Sequence, residues 1–536
     1  MFTRLGAAMQ LRSISGVTLP QLAWVAEVDR KHEIVTLVHG PKVEVRENFF
    51  IEGVWNGPFQ EGDFGESDCV FGTGGILTGQ SIRFITSAST TDYLFYADAQ
   101  SVVTVSNSLP LLLGSIQDAL DPRCQDYPEI CHSIIAGIDD YRRDIPTKKG
   151  TVHRQMYRNL DVSNDGISES EKRMPPRFKC FDDYRNYLRD NYELIVKNAR
   201  DRDRSSPLEI WSTQSKGYDS TAVNAIASRY GIDKVFSVSE AKSNYYLAHS
   251  DKGKLPDDDG GEICNFLGLR CVRINRRAFA DEFDDEYLYY SGLHHNQDFN
   301  LKEISKHISE IGVLLTGTLG EIWYPMSSLG SRAYLDPNLR RWDLGGHGMA
   351  ELRLVVGFIH LPLPYIGARQ KEDIVQVTES SEMDPWRLKN AYDRPIPRRI
   401  AEEAGVPRSM FGQSKMGSVV IFAPPAIPYG RDLRYRFFEF LAREKIMGRF
   451  QSLFWPVVRE VNAILMLKSE QRFAVVYYAE RLISRLMGHE LQFPMLWSNL
   501  DGALFCFCVN NTAAKYARAV SGLKGNLQER LNNAIA

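Results

Sequence analysis

Short apolar runs and helical repeats alternate through the middle of this chain. Three apolar runs have the length typical of buried strands, at residues 235–238, 271–274 and 313–315. Helical periodicity marks residues 262–267, which Gly268 follows, and residues 303–311. Strands and helices in alternation predict an α/β fold, with a parallel, doubly wound sheet whose ligands gather at the carboxyl ends of its strands.

The first third of the chain has a different pattern. Residues up to about 175 carry strand-like pieces, such as 93–96 and 102–105, separated by Asn, Ser, Gly and Asp turns. The pattern predicts a mostly β domain at residues 1–175, ahead of the α/β core at residues 176–430.

The carboxyl-terminal part changes character after about Phe422, where three prolines interrupt the chain. Amphipathic helical stretches follow at residues 433–446, 457–467 and 475–487. They predict a helical extension at residues 431–536.

Composition narrows the class of protein. The chain has 536 residues, 43% of them hydrophobic, and a formal net charge of −3, which excludes a disordered chain and argues against a nucleic-acid partner. No apolar run reaches membrane-spanning length, and the first 25 residues lack the apolar core of a secretion signal. We therefore expect a cytoplasmic protein with no membrane partner.

The eight cysteines include no Cys-x-x-Cys pair, which argues against a structural zinc site. Cys506 and Cys508 alternate with Phe505 and Phe507 as residues of a strand would. Packing is their expected role.

The turn with the most chemical content joins an apolar run at residues 208–211 to a helical run at 221–227. It has the sequence Ser215-Lys216-Gly217-Tyr218-Asp219-Ser220. Hydroxyls, backbone amides and a helix start suit an anion, and Gly217 lets a ligand approach closely. Asp219 would repel bare phosphate, but it suits a magnesium ion that phosphates share. The turn therefore predicts a site for a magnesium nucleotide.

This turn resembles the Ser-Gly-Gly-x-Asp-Ser loop of the ATP pyrophosphatase (PP-loop) superfamily, whose members cleave ATP between the α and β phosphates to adenylate a substrate. Lys216 stands where the family usually has its first glycine. We assign Ser237 and Val238, in the next predicted strand, to the same nucleotide site. The alternative is an ordinary helix N-cap, which also uses Ser, Gly and Asp.

A second segment is similar to the Thr-Gly-x-Gly-x-Asp signature of the asparagine synthetase and β-lactam synthetase branch. Gly317 falls on the family glycine, and Glu321 falls on a magnesium-binding Asp, while Leu319 replaces a glycine. The extra methylene of Glu displaces the carboxylate, and Mg²⁺ tolerates poor geometry badly. Glu321 is either a metal ligand or a solvated loop acid.

A third segment, residues 394–417, resembles the late family segment in which a lysine reaches over the active site. The resemblance gives Lys415 the role of stabilising negative charge on the α-phosphate and on the adduct formed by the amine. Arg394 lies where the family has a basic phosphate contact, although Arg398 and Arg399 are alternatives. A surface lysine in a basic loop is the other interpretation of Lys415.

The resembled family carries an amino-terminal glutaminase domain, and residues 103–113 resemble the part of it that precedes a helix. That glutaminase needs a cysteine as the first residue of the mature chain. This chain begins Met1-Phe2-Thr3, and its first cysteine is Cys69. We expect a degenerate glutaminase domain that does not hydrolyse glutamine.

The resemblance implies a ligase that uses ATP and Mg²⁺ to adenylate a small-molecule or peptide carboxylate and then transfers the acyl group to an amine. The amine comes from within the substrate or from free solution. Thr318 stands where β-lactam synthetases have a Tyr, which argues against that activity. A catalytically degenerate scaffold and an ATP-sensing module are the alternatives, and a homodimer or a biosynthetic partner protein is left open.

Three further groups of polar residues stay outside the expected site. Asp257, Asp258 and Asp259 are interpreted as a solvated loop and helix start, and His360 as a structural histidine. The pair at residues 294–295 is interpreted as loop histidines rather than substrate contacts.

Overall fold

The computed structural model describes most of the chain. The described residues are 9–124, 126–239, 258–275, 285–292, 299–308, 310–390, 392–413, 428, 430–446, 482–483, 485–488 and 500–535. For residues 299–302 and 526–535 only the backbone is described.

The amino-terminal part is built from two β-sheets, which confirms the predicted β-rich character of this region. Its strands are β1 (Gln10–Ser15), β2 (Trp24–Asp29), β3 (Ile34–His39), β4 (Glu44–Val45), β5 (Phe49–Trp55), β6 (Val70–Thr78), β7 (Ser81–Ile85), β8 (Leu94–Ala99), β9 (Val102–Ser106), β10 (Asp144–Pro146), β11 (Thr151–Gln155), β12 (Asn159–Ser163) and β13 (Gly166–Ser170). One sheet has the order β1-β3-β2-β9-β8-β11-β10, and the other has the order β13-β12-β7-β6-β5-β4.

The two sheets pack face to face as a sandwich. Trp24 and Val105 of the first sheet share a buried apolar cluster with Phe50, Phe84 and Val162 of the second. The indole of Trp24 stacks on Phe84 at 5.9 Å between ring centroids. Alternating inward residues therefore form the core between the sheets.

The central part contains a five-stranded sheet whose neighbouring strands are all parallel. Its strands are β14 (Glu209–Thr213), β15 (Lys234–Ser239), β16 (Cys271–Asn275), β17 (Gly312–Thr316) and β18 (Phe358–Pro362). They lie in the order β16-β15-β14-β17-β18. The fold is thus mixed α/β, with one parallel sheet and two mostly antiparallel ones, and the predicted strands at 235–238, 271–274 and 313–315 are confirmed.

Helices surround the sheets and connect the strands. They are α1 (Leu109–Ser115), α2 (Tyr127–His132), α3 (Phe181–Ala199), α4 (Tyr218–Ala227), α5 (Gly261–Phe266), α6 (Glu286–Ser291), α7 (Met326–Leu329), α8 (Ala350–Val356), α9 (Lys371–Glu379), α10 (Pro395–Glu403), α11 (Arg431–Arg443) and α12 (Leu500–Ile535). The predicted helix at 262–267 is α5, whereas the one predicted at 303–311 is a 3₁₀ segment, Phe299–His307.

The parallel sheet is covered by helical segments on both faces. Val313 and Leu315 of β17 point into a cluster that includes Val223 of α4, while Leu314 points the other way, toward Ile304 and Met349. Strand order reverses direction between β14 and β17, because β15 and β16 lie on one side and β18 on the other. Ligands of such sheets bind beyond the carboxyl ends of the strands at this reversal.

The carboxyl-terminal helix α12 corrects one expectation. Cys506 and Cys508 lie in this helix and not in a strand, although both are buried, as a packing role requires. Helix α12 packs on α1, and a side chain at Gly114 would meet the backbone of Ala513 at 2.7 Å.

Helix α11 matches the stretch predicted at 433–446, while 457–467 and most of 475–487 lie outside the described residues. No helix in the described part of the chain is long and apolar enough to cross a bilayer.

Candidate functional site

The turn after β14 is closed by its own hydroxyls. Ser215 N donates to Ser220 Oγ at 3.1 Å, and Gly217 N donates to Ser215 Oγ at 3.1 Å. Gly217 is the extended N-cap residue of α4, whose Thr221 and Val223 are fully buried. The packed helix therefore holds the turn in a preorganised shape, with the first backbone amides of α4 at its edge.

A second loop fastens this turn from outside. Lys216 N donates to Asp258 Oδ1 at 2.8 Å, and Asp258 is buried, so the expectation of a solvated loop is wrong at this position. Asp259 Oδ1 accepts from Gly261 N at 2.8 Å and so begins α5, as expected of a helix start. Asp257 lies outside the described residues. Asp258 is therefore buried by a tertiary contact, although the composition of its own loop predicts a solvated side chain.

The side chain of Ser237 bonds the same loop and is not left on an open surface. Its hydroxyl donates to Asp259 Oδ1 at 2.9 Å and accepts from Gly260 N at 2.8 Å. Val238 packs partly buried in the apolar cluster on one face of the sheet. A nucleotide contact from this strand would therefore come from its backbone.

Asp219 lies where the turns after β14 and β17 meet. A Cβ added to Gly317 would come within 2.8 Å of Asp219 Cβ, and one added to Gly320 would come within 2.1 Å of Asp219 Cγ. Both glycines are therefore required to accommodate this carboxylate. Two turns that are about 100 residues apart in sequence thus form one surface at the reversal of the parallel sheet.

Leu319 adopts a backbone conformation that a leucine disfavours. Its φ is +68°, in the left-handed region where a side chain is strained, and its side chain is buried. The turn between Gly317 and Gly320 therefore has a backbone shape usual for glycine. Burial of the leucine side chain offsets the backbone strain.

The side chain of Tyr218 packs in the protein interior. Its side chain is buried beside Tyr392 and Phe411, at 5.0 and 5.9 Å between ring centroids. Arg398 donates to its hydroxyl and lies 4.9 Å from its ring centroid. A ligand contact of Tyr218 would come from its backbone, and Arg398 serves to position α10 against α4.

The structure separates the three arginines that sequence alone leaves as alternatives. Arg394 lies 3.4 Å over the ring centroid of Tyr324 and 5.4 Å from that of Tyr392. Tyr392 packs on Tyr218 of the turn at 5.0 Å between ring centroids, and burial, followed by the negative charge of Asp219, raises the pKa of its phenol. Arg399 instead pairs with Glu403 at 2.7 Å, on another side of α10. Arg394 thus contacts the aromatic side chains beside the candidate site, whereas Arg398 contacts Tyr218 of the turn itself.

Glu321 follows the β17 turn and faces cations. Its Oε1 lies 4.0 Å from Arg341 Nε, and its charge acts on Lys371, a buried amine. Burial lowers the pKa of Lys371 to about 8, and Glu321 counteracts this in part. Sequence analysis overlooked Arg341 and Lys371, since neither lies in a motif. Their burial and their common neighbour Glu321 are visible only in the fold.

Lys415 lies outside the described residues, but the chain leading to it is attached to the candidate site. Gly412 N donates to Lys216 O at 2.8 Å. A side chain at Gly412, whose φ is +63°, would collide with the Tyr218 ring at 2.5 Å. Residues 294–295 also lie outside the described residues. His360 is buried and bonds Thr316 Oγ1 at 2.8 Å, as a structural histidine would.

The donor set at this site is small. No group of three or more His, Cys, Asp or Glu side chains able to hold a metal occurs among the described residues. A metal ion beside Asp219 would therefore need ligands from a bound phosphate and from water, which is the usual coordination of Mg²⁺. No protein-family model matches this chain, and comparison with curated proteins gives no significant match.

Proposed function

We propose that the chain is an AMP-forming carboxylate–amine ligase with a PP-loop type of nucleotide site, similar to asparagine synthetases. The observation that carries the proposal is the position of Asp219 against Gly317 and Gly320, at the reversal of the parallel sheet. A carboxylate at a helix start rich in hydroxyls suits magnesium and phosphate together, whereas phosphate alone would be repelled.

In the first proposed step, a substrate carboxylate attacks the α-phosphate of ATP, and pyrophosphate leaves. Backbone amides at the start of α4 and the Ser215 and Ser220 hydroxyls bind phosphate oxygens, and Asp219 holds the metal ion. When bound, Mg²⁺ would neutralise charge on the phosphates. Glu321 is the second proposed metal ligand, although Arg341 already lies 4.0 Å from its carboxylate.

In the second proposed step, an amine attacks the acyl-adenylate, an amide forms, and AMP leaves. Lys415 is proposed to stabilise the negative charge of the adduct, with Arg394 as a further phosphate contact. The left-handed backbone of Leu319 supports an active enzyme over a degenerate scaffold, because the turn keeps its shape despite the loss of a glycine.

Pyrophosphate release tests the proposal directly. Purified protein with Mg-ATP and a panel of carboxylates should release pyrophosphate, and Asp219→Asn should reduce the rate at least about 100-fold, the scale of losing one preorganised electrostatic group. Asn has nearly the same shape as Asp, so the contact with the two glycines is retained. Asp190→Asn, on the exposed side of α3, is the matched control.

Two outcomes would replace the ligase with one of its alternatives. ATP binding that depends on Asp219, without pyrophosphate release for any carboxylate, would favour an ATP-sensing module. Equal ATP affinity in the wild type and in Asp219→Asn, measured by calorimetry, would contradict the nucleotide site and favour a scaffold.

A further inference from the structure

The buried charges near the end of β17 do not balance. Arg341 and Lys371 are only 2% and 3% exposed. Glu321, whose side chain is 12% exposed, lies 4.0 Å from Arg341. We call these three residues the Arg341 cluster. It buries two cations against one carboxylate, and burying an uncompensated charge is costly.

Nearby acids do not remove the imbalance. Asp343 lies 3.3 Å from Arg341, but its side chain is 64% exposed, so water screens the pair. The charge of Asp336 also acts on Lys371, but Asp336 is 39% exposed and is paired with Arg340 at 3.2 Å. The excess positive charge therefore stays inside the protein.

Three polar atoms of the Arg341 cluster have no hydrogen-bond partner among the described residues. They are Arg341 Nε, Lys371 Nζ and Glu321 Oε1. The remaining nitrogens of Arg341 are used, because Nη1 bonds His347 Nε2 at 2.6 Å and Nη2 donates to Gly345 O at 2.8 Å. The guanidinium is thus held in a fixed orientation with its Nε left available. Unsatisfied buried donors need an explanation, and a missing ligand is one.

Aromatic side chains extend from this cluster toward the surface and toward the candidate nucleotide site. Lys371 Nζ lies 5.9 Å from the ring centroid of Tyr334, which contacts Trp342 at 5.6 Å. Trp342 is 43% exposed and also contacts Tyr324 at 5.4 Å, the ring on which Arg394 stacks. The aromatic group is therefore continuous from solvent to the buried cations.

We propose that Arg341 and Lys371 form a subsite for an anionic oxygen group, a carboxylate or a phosphate, of a ligand that enters past Trp342. The anion supplies the missing negative charge and accepts hydrogen bonds from Arg341 Nε and Lys371 Nζ. Such charge-assisted bonds are strong where water is excluded. The subsite goes beyond the proposed ligase and needs no nucleotide.

The test measures the binding of two simple anions. Inorganic phosphate and succinate are titrated separately into wild-type protein at constant ionic strength, without nucleotide, by calorimetry and by thermal unfolding. At least one of them should bind and raise Tm, and Lys371→Met should weaken that binding at least about tenfold. Binding of phosphate alone identifies a phosphate subsite, and binding of succinate identifies a carboxylate subsite.

A buried lysine elsewhere serves as the matched control. Lys172 is also 3% exposed, but it lies in the β-sandwich and donates to Asn159 Oδ1 at 2.6 Å. Lys172→Met should keep the anion response. If Lys371→Met fails to fold, Lys371→Gln takes its place. In anion-free buffer, Lys371→Met should leave Tm unchanged or raise it, because it removes an unpaired buried charge.

Two results would overturn the subsite. One is the absence of any effect of either anion on wild-type protein. The other is an equal anion response in the wild type and in both Lys371 variants, which would assign binding to another place. Since no ATP is present, these results do not depend on whether pyrophosphate release is found.

Discussion

Two buried arginines of this protein have opposite surroundings. Arg353 of α8 donates to both carboxylate oxygens of Glu52, at 2.7 and 3.0 Å, and its Nε lies 2.7 Å from Asp92 Oδ1. We call these three residues the Arg353 cluster. Arg341, equally buried, has the exposed Asp343 at 3.3 Å but only Glu321, at 4.0 Å, as a largely buried carboxylate, which it shares with Lys371. In one cluster a single cation lies within 3 Å of two carboxylates, while in the other two cations share one distant carboxylate.

This difference in charge pairing indicates a structural role for the Arg353 cluster and a binding role for the Arg341 cluster. The Arg353 cluster connects β5 of the sandwich to α8 beside the parallel sheet, so its ion pairs hold two parts of the molecule together. The Arg341 cluster lies beside the turn that accommodates Asp219, and its unpaired donors are suited to an exchangeable group.

The largest expected effect is the loss of the paired arginine. Arg353→Gln should lower the free energy of unfolding by about 3–5 kcal/mol, because Glu52 and Asp92 would remain buried without their partner. Denaturant unfolding measures this loss. The double variant Glu52→Gln/Arg353→Gln should recover part of it. If Arg353→Gln caused no loss of stability, which is the result expected for Lys371→Met, the distinction between the clusters would be removed.

The acid beside the paired cluster should make stability depend on pH. Burial raises the pKa of Glu351 from 4.5 to about 8, while Ser108 and Arg353 lower it in part. The folded state therefore holds this proton more tightly than the unfolded chain. Its stabilising contribution is complete below pH 4.5 and is lost as the pH rises toward 8.

Glu351→Gln should accordingly flatten the fall in the free energy of unfolding between about pH 5 and 8. The expected change is a few kcal/mol at most, since one pKa unit corresponds to about 1.4 kcal/mol. Unfolding at a series of pH values measures it, with the exposed Glu310→Gln as control. The same slope in wild type and Glu351→Gln would mean that Glu351 is already ionised in the folded protein.

A methyl group at Gly320 should affect the proposed activity more than the fold. The new Cβ would lie 2.1 to 2.5 Å from the carboxyl atoms of Asp219 and would displace them. Gly320→Ala should reduce pyrophosphate release about 100-fold, with a smaller effect on Tm. Gly522→Ala, in α12 with nothing within 4 Å of its Cβ, is the control. If Gly320→Ala released pyrophosphate at the wild-type rate, Asp219 would have no role in the reaction.

The smallest expected effect concerns the strained residue of the same turn. Leu319→Ala and Leu319→Gly both remove a buried side chain, but only glycine relieves a φ of +68°. Leu319→Gly should therefore be more stable than Leu319→Ala by about 1 kcal/mol, the reverse of the usual order inside regular structure. Thermal unfolding of the two variants gives the difference, and equal stability would mean that the turn relaxes.

Local patterns were sufficient for strands β15 and β17 of the parallel sheet. The apolar runs at 235–238 and 313–315 are short, continuous and bounded by turn residues, so the correct elements follow from their sequence. The alternation at Phe505 to Cys508 misled, because α12 is buried on several sides by α1, α2, α6 and α11 and has no polar face there. A helix that is buried on all sides lacks the 3.6-residue repeat of apolar and polar positions that distinguishes a helix from a strand.

The candidate site was predictable only where it lies in contiguous motifs. The turn at 215–220 and the glycines after β17 are such motifs, and the sheet brings them into contact. The roles of Glu321 and Lys415 as metal ligand and charge stabiliser stay predictions. Asp258, Arg341 and Lys371 gain their surroundings from parts of the chain far away in sequence, and no local signal distinguishes them from surface residues.

Lys216 is a position of the turn at residues 215–220 where the side chain can be exchanged. The hydrogen bonds from Lys216 N to Asp258 and from Gly412 N to Lys216 O use main-chain atoms of Lys216, so they do not depend on its side chain. A cysteine introduced at this position could carry a fluorescent dye without removing either bond. Such a labelled protein would test the proposed nucleotide site, because a nucleotide bound beside the dye is expected to change its emission.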